Sequence, residues 1–253
     1  LTLESRASFR LISHWKRLRV GGASDPLLAC VPMDLLYTAH VPAGEGPFPT
    51  LLCLHGWGAS AHDLIGLAPI LHGGQALVLS PQGPVAFEIG QGMLGFGWFP
   101  LRESQEVDPR EFEQGAEALR GFLAGAQERY PIDRRKIVPL GFSQGGVMAY
   151  DLVLRQPERF AGLVVLSSWL PELVDRGIPD SEALRHFPVL VMHGTEDPMI
   201  PVARAQESRD LLAKRGLDVT YREYEMGHEV GPEALRDLVE WLERKAISPI
   251  QLA

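Results

Sequence analysis

The chain has 253 residues, 45% of them apolar and 22% charged, with a formal net charge of −8. That length can bury a sizeable core within one large α/β domain. The negative balance excludes nucleic acid as a general partner, and no apolar run reaches the roughly 18 residues a membrane-spanning helix needs, which argues against stable membrane insertion.

In chain order, residues 1–34 read as an N-terminal extension. Its first stretch carries Arg6, Arg10, Lys16, Arg17 and Arg19 against Glu4 alone, and a solvated arm or terminal strand is expected there. It lacks the apolar centre of a signal peptide, so a cytoplasmic location is the default expectation. Cys30 and Cys53 are the two cysteines, both in apolar runs. Two isolated thiols make no disulfide framework. A single domain is expected over residues 35–248. Strands are predicted at Leu35–Val41, Thr50–Leu54, Ala76–Ser80, Ile137–Leu140, Leu163–Leu166, Val189–Met192 and Val219–Tyr224. Several are continuous apolar runs, as strands buried on both faces require. Helices between them predict an α/β architecture: a mostly parallel twisted sheet with helices on both faces. Asp108-Pro109 with Glu111 marks a helix start, and that helix should run to about Arg129, before Pro131. Further helices are predicted from just after Ser143 to Gln156-Pro157, from Ala203 to Lys214, and from Pro232 to about Lys245. The last carries Leu235, Leu238, Val239 and Leu242 as one apolar stripe. Pro139 is at odds with a central strand, because proline lacks a ladder N–H.

The chemistry is carried by three segments, each following a predicted strand. Gly141-Phe-Ser-Gln-Gly145 is a G-x-S-x-G motif, which places a serine on a tight strand-to-helix turn. His193-Gly-Thr-Glu-Asp197 and Gly227-His228 follow later. A serine hydroxyl needs a base and an orienting group. The order Ser143, Asp197, His228 is the one α/β-hydrolases use for that triad. Taken singly, Ser143 could be a plain N-cap, Asp197 a turn residue before Pro198 and His228 a surface histidine; the order of all three outweighs these readings. The oxyanion of a tetrahedral intermediate needs two N–H donors. The backbone of Gln144 and that of Trp57, in His55-Gly56-Trp57-Gly58, are the candidates. His55 and His193 read as structural supports of these loops. Phe96, Trp98, Trp169 and Leu170 are candidate substrate-binding residues of an apolar cleft, and the run Gly90–Gly97 suits an apolar lip. Arg102 is the nearest arginine and reads as solvent-exposed, so neutral esters of short to medium acyl chains are favoured. With no Cys/His cluster at metal spacing, no H-E-x-x-H and no glycine-rich phosphate motif after a strand, no metal and no cofactor is expected.

Leu54-His-Gly-Trp-Gly-Ala-Ser60, Gly141-Phe-Ser-Gln-Gly-Gly146, His193-Gly-Thr-Glu-Asp-Pro-Met-Ile-Pro201 and Gly227-His228, with Pro81-Gln-Gly-Pro84 and Gly97-Trp-Phe99, resemble the phospholipase/carboxylesterase family over about residues 35–245. That family includes the acyl-protein thioesterases. The resemblance implies a small, nearly lidless, cofactor-free serine carboxylesterase with a small-molecule ester substrate, often a homodimer. Thioesters and lysophospholipids are the alternative substrates. A catalytically idle binding module is the alternative from another class. Pro100 stands where that family commonly shows an aspartate, and residues 1–34 have no counterpart in its short members.

Overall fold

The computed structural model describes residues 35–101 and 107–247. The expected N-terminal extension with its basic arm and Cys30, and Arg102, lie outside the described residues. The strands are β1 Tyr37–His40, β2 Phe48–Leu54, β3 Leu77–Pro81, β4 Val85–Gly90, β5 Met93–Gly97, β6 Ile132–Phe142, β7 Leu163–Leu166, β8 Pro188–Gly194 and β9 Asp218–Tyr224. The helices are α1 Pro109–Arg129, α2 Gln144–Leu154, α3 Glu172–Asp175, α4 Val202–Lys214 and α5 Pro232–Trp241.

Seven strands form one sheet in the order β1-β3-β2-β6-β7-β8-β9. β1 runs antiparallel to β3, and the other pairings are parallel. Each apolar strand feeds two cores, because successive side chains leave opposite faces. In β2, Leu52 and Leu54 join the core under α1, α2 and α4, with Phe112, Phe122 and Leu212. Leu51 and Cys53 join the other, with Leu64, Leu71, Leu238 and Trp241. Burial also pushes the Cys53 thiol up to about 12, so it is inert at neutral pH.

The helix signals translate directly. Asp108 Oδ1 accepts from the N–H groups of Arg110 at 2.8 Å and Glu111 at 3.3 Å, capping α1. The α5 stripe buries Leu238 and Leu242 and half-buries Leu235 and Val239. α-Helical geometry ends at Trp241, earlier than predicted, and the chain continues as a π-helical segment, Leu242–Ile247. Pro139 is accommodated by position. Ile137 O accepts from Ala161 N at 2.9 Å, so Ile137 and, two residues on, Pro139 turn their backbone groups toward β7. The β6–β7 ladder starts at Leu140↔Val164, and the missing N–H falls where that ladder begins.

One expectation is corrected. The glycine-rich run Gly90–Gly97, read as a loop lip, is half of a β-hairpin in which Val85 faces Gly97 and Phe87 faces Gly95. Glycines at 95 and 97 hide the strand alternation on β5, whereas Val85, Phe87 and Ile89 on β4 show it. Among the described residues, no helix is long and apolar enough to cross a membrane.

Candidate active site

β6 ends in the G-x-S-x-G turn, and Ser143 sits at φ 53°, ψ −120°. Such a conformation costs a non-glycine residue about 1–3 kcal/mol and persists only where its surroundings over-determine it. Here they do. Ser143 N–H donates to Leu166 O at 2.9 Å, while Ser143 O accepts from Gly146 N–H at 2.9 Å and from Ser168 Oγ at 2.6 Å. The motif's glycines are required by close approach: a Cβ at Gly141 would collide with Gly145 O, and one at Gly145 with Leu54 O. The Ser143 side chain is therefore pushed out at the carboxyl end of the sheet, half-exposed. Its hydroxyl makes no hydrogen bond among the described residues; in unliganded sites such bonds commonly tighten only with substrate.

β8 and β9 place the other two residues at the same edge. His228 Nδ1–H donates to Asp197 Oδ2 at 2.7 Å, which leaves Nε2 as the nitrogen able to take a proton. The His228 ring packs on Phe142, the neighbour of Ser143, with centroids 4.9 Å apart. Asp197 Oδ1 accepts from Met199 N–H at 2.8 Å and Ile200 N–H at 2.9 Å. Burial alone would raise the Asp197 carboxyl, but the His228 bond and those two backbone donors outweigh it, and its net displacement is downward. Asp197 thus stays an anion facing His228. Behind it, His193 Nε2–H donates to Ile200 O at 2.8 Å and lies 3.4 Å from Asp197 Oδ2. His193 supports the turn, as its sequence position suggests.

Across the serine lies the loop after β2. A Cβ added at Gly56 would stand 3.2 Å from Ser143 Cβ, so Gly56 abuts the nucleophile. This loop is bound by a neutral network. His55 Nδ1–H donates to Gly56 O at 2.7 Å, and His55 Nε2 accepts from Gly83 N–H at 2.9 Å. Those two roles require the neutral imidazole. Burial, partly offset by the Gly56 carbonyl, lowers the affinity of His55 for a second proton. Trp98 Nε1–H donates to His55 O at 3.0 Å. Gln144 is fully buried; its Oε1 accepts from Trp98 N–H at 2.8 Å and its Nε2–H donates to Phe99 O at 2.7 Å. Its backbone N–H starts α2, where the positive end of the helix dipole lies beside Ser143.

Two substrate-binding expectations are corrected. Trp98 is 0% exposed and Leu170 6%, both within the core under α1 and α2, so neither offers a face to a ligand. Both are drawn inward by bonds at the loop backbone: Trp98 through His55 and Gln144, and Leu170 through its N–H to Ser208 Oγ at 2.8 Å. Phe96 and Trp169 are half-exposed, and the Arg204 guanidinium lies 5.9 Å from the Trp169 ring centroid. The sequence reading missed Ser168 and Phe87. The period-2 run through Val85, Phe87 and Ile89 could have revealed the second; nothing in the sequence marks the first.

Comparison with known proteins agrees with this fold. The family model described as Phospholipase/Carboxylesterase matches residues 39–246. Acyl-protein thioesterase 1 of Gibberella zeae is 30% identical over 226 residues, covering 82% of this chain and 94% of that protein. Its namesake from Cryptococcus neoformans is 30% identical over 222 residues, covering 78% and 92%. Among solved structures, the Bacillus cereus carboxylesterase superposes with a TM-score of 0.71 at 27% identity, covering 84% of this chain and 96% of that one. A carboxylesterase from Mesorhizobium loti gives 0.71 at 22% identity, with 87% and 98% covered, and there the likeness is one of fold.

Proposed function

The chain belongs to the phospholipase/carboxylesterase family of α/β-hydrolases, and from that premise we propose that it cleaves carboxylic esters of short to medium acyl chains through a covalent acyl-enzyme. It is a carboxylesterase- or acyl-protein-thioesterase-like hydrolase; the finer reading concerns substrate and steps. The observation that carries it is the 2.7 Å bond from His228 Nδ1 to Asp197, with the His228 ring on Phe142 beside the elbow serine.

In this reading, Ser143 Oγ attacks the ester carbonyl carbon while its proton passes to His228 Nε2. Asp197 holds the ring tautomer and stabilises the imidazolium. The carbonyl electron pair moves to oxygen, where the N–H groups of Gln144 and Trp57 receive it. Collapse expels the alcohol, which takes the proton from His228. Water, deprotonated by the same histidine, then releases the acid and restores Ser143. Each step uses side chains of this chain and the backbone of two loops.

A thioester substrate is the second reading, favoured by relatives that are named acyl-protein thioesterases at 30% identity. The half-exposed Phe96 and Trp169 suit an apolar acyl group in either case. The test is Ser143→Ala with p-nitrophenyl butyrate and with a palmitoyl-thioester peptide. Turnover of both should fall by about 10⁴-fold or more, and a fluorophosphonate should label only the unsubstituted protein. Retained turnover in a folded Ser143→Ala protein would overturn the assignment. Absence of labelling and turnover in the unsubstituted chain would instead favour an idle binding scaffold.

A further inference from the structure

We propose that the β4–β5 hairpin is the platform that positions the oxyanion loop, and that Phe87 is the positioning residue through which it acts; this rests on the reading of Trp57 N–H as an oxyanion donor. The loop after β2 leaves the seven-stranded sheet at Leu54, so the sheet ladder no longer fixes residues 56–59. The hairpin takes over. Gly58 N–H donates to Phe96 O at 2.9 Å, and Phe96 N–H donates to Ala59 O at 3.0 Å, which joins the loop to β5 by a reciprocal backbone pair. The Trp57 ring stacks on Phe87 with centroids 3.9 Å apart and planes 13° apart.

The hairpin's glycines complete the seat. A Cβ at Gly97 would overlap the Trp57 ring, and one at Gly95 would stand 2.7 Å from Gly58 O and 2.5 Å from Ile89 Cγ2. Two side chains are therefore omitted where the loop rests on β5. Trp57 is held at its ring by Phe87 and Gly97, and at its C-terminal peptide by the Gly58 bond. Those restraints set the direction of its own N–H. A donor aimed at a developing oxyanion tolerates little displacement: a shift of about 1 Å can cost about 10²-fold in rate. Phe87 acts through Trp57, so its removal should weaken stabilisation of the oxyanion while ground-state binding is kept.

The experiment compares unsubstituted protein with Phe87→Ala, Phe87→Tyr and Gly95→Ala, by kcat and KM on p-nitrophenyl butyrate and by inhibition with a butyl trifluoromethyl ketone. The ketone forms a bond from Ser143 Oγ to its carbonyl carbon, the serine proton passes to His228, and the carbonyl pair becomes an oxyanion in the hole. Phe87→Ala should lower kcat by about 10- to 10²-fold with KM within about twofold, and raise the ketone Ki by the same factor as kcat/KM falls. Phe87→Tyr keeps the stack and should restore both values. Gly95→Ala pushes on Gly58 from the other side and should reproduce the loss. The hairpin is a separate two-stranded sheet, so the main sheet survives its distortion, and an unchanged far-ultraviolet spectrum checks this. A loss confined to KM, or a ketone Ki indifferent to Phe87, would overturn the proposal. Failure of the functional reading would be distinguishable, since there Ser143→Ala would still turn over ester.

Discussion

On the β8–β9 side of Ser143 an ionised carboxylate is anchored, while on the β2–β5 side the hydrogen bonds join neutral groups. Asp197 receives His228 at 2.7 Å and two backbone N–H groups below 3 Å. Its charge is shared among several donors, and the turn from Asp197 to Ile200 is short in sequence. The oxyanion side is assembled from segments far apart in the chain: His55 to Gly58, Gly83, Phe96 to Phe99 and Gln144. Most of its polar groups have one partner each. Losing one bond there leaves a buried group unsatisfied, which typically costs about 1–3 kcal/mol. The anchoring of the Asp197 carboxylate is redundant and largely local; the oxyanion side is singly connected and long-range.

The strongest way to break that contrast is at Asp197. Asp197→Asn keeps an acceptor for Met199 and Ile200 but can turn its amide N–H against His228 Nδ1, which selects the wrong imidazole tautomer. A fall in kcat of about 10³–10⁴-fold is expected, with little change in thermal midpoint. A loss below about tenfold would mean that His193 or another group orients His228. Next comes Gln144→Ala, which keeps the backbone donor but orphans Trp98 N–H and Phe99 O. A fall in kcat of about 10- to 10²-fold is expected together with a lowered melting temperature. If kcat is unaffected while stability drops, the clamp holds the fold and not the hole.

The same contrast explains what could be read from residues alone. Strand cores such as Leu163–Leu166, the Asp108 cap and the order of Ser143, Asp197 and His228 are written in local patterns of apolar residues, caps and motif spacing. Asp197 follows an apolar run and His228 a strand-like stretch, so sheet topology brings them to one edge without further information. Trp98 misled because its aromatic ring in a glycine-rich loop suggests a cleft wall, whereas the indole N–H finds His55 O and the ring is buried. Ser168 escaped notice because its partner is a backbone carbonyl, Ser143 O, made available only by the strained elbow. The hairpin was missed because its glycines are there to admit the Trp57 ring and the Gly58 backbone, contacts between segments about 40 residues apart.

The smallest expected effect uses pH to separate the two halves. Both Asp197 and His55 are displaced downward from their ordinary values, so each contributes stability at higher pH that is lost on acidification. The windows differ. For His55 the unfolded chain takes up a proton as pH falls through about 6.5, while the folded imidazole, buried and accepting from Gly83 N–H, resists. Its contribution therefore declines from just above that pH downward, and levels off below the folded value. Asp197 holds its contribution until pH passes below the ordinary carboxylate value of 3.8, and loses it through the folded value. His55→Gln removes the first titration and leaves the second. As pH falls from 7 to 5 the unsubstituted protein should lose more in melting temperature than His55→Gln, and the gap should stop growing once the pH passes below the folded value of His55. Parallel curves across the whole range would mean that the oxyanion loop is as insensitive to acid as the carboxylate side, and that the neutral His55 network does not separate the two.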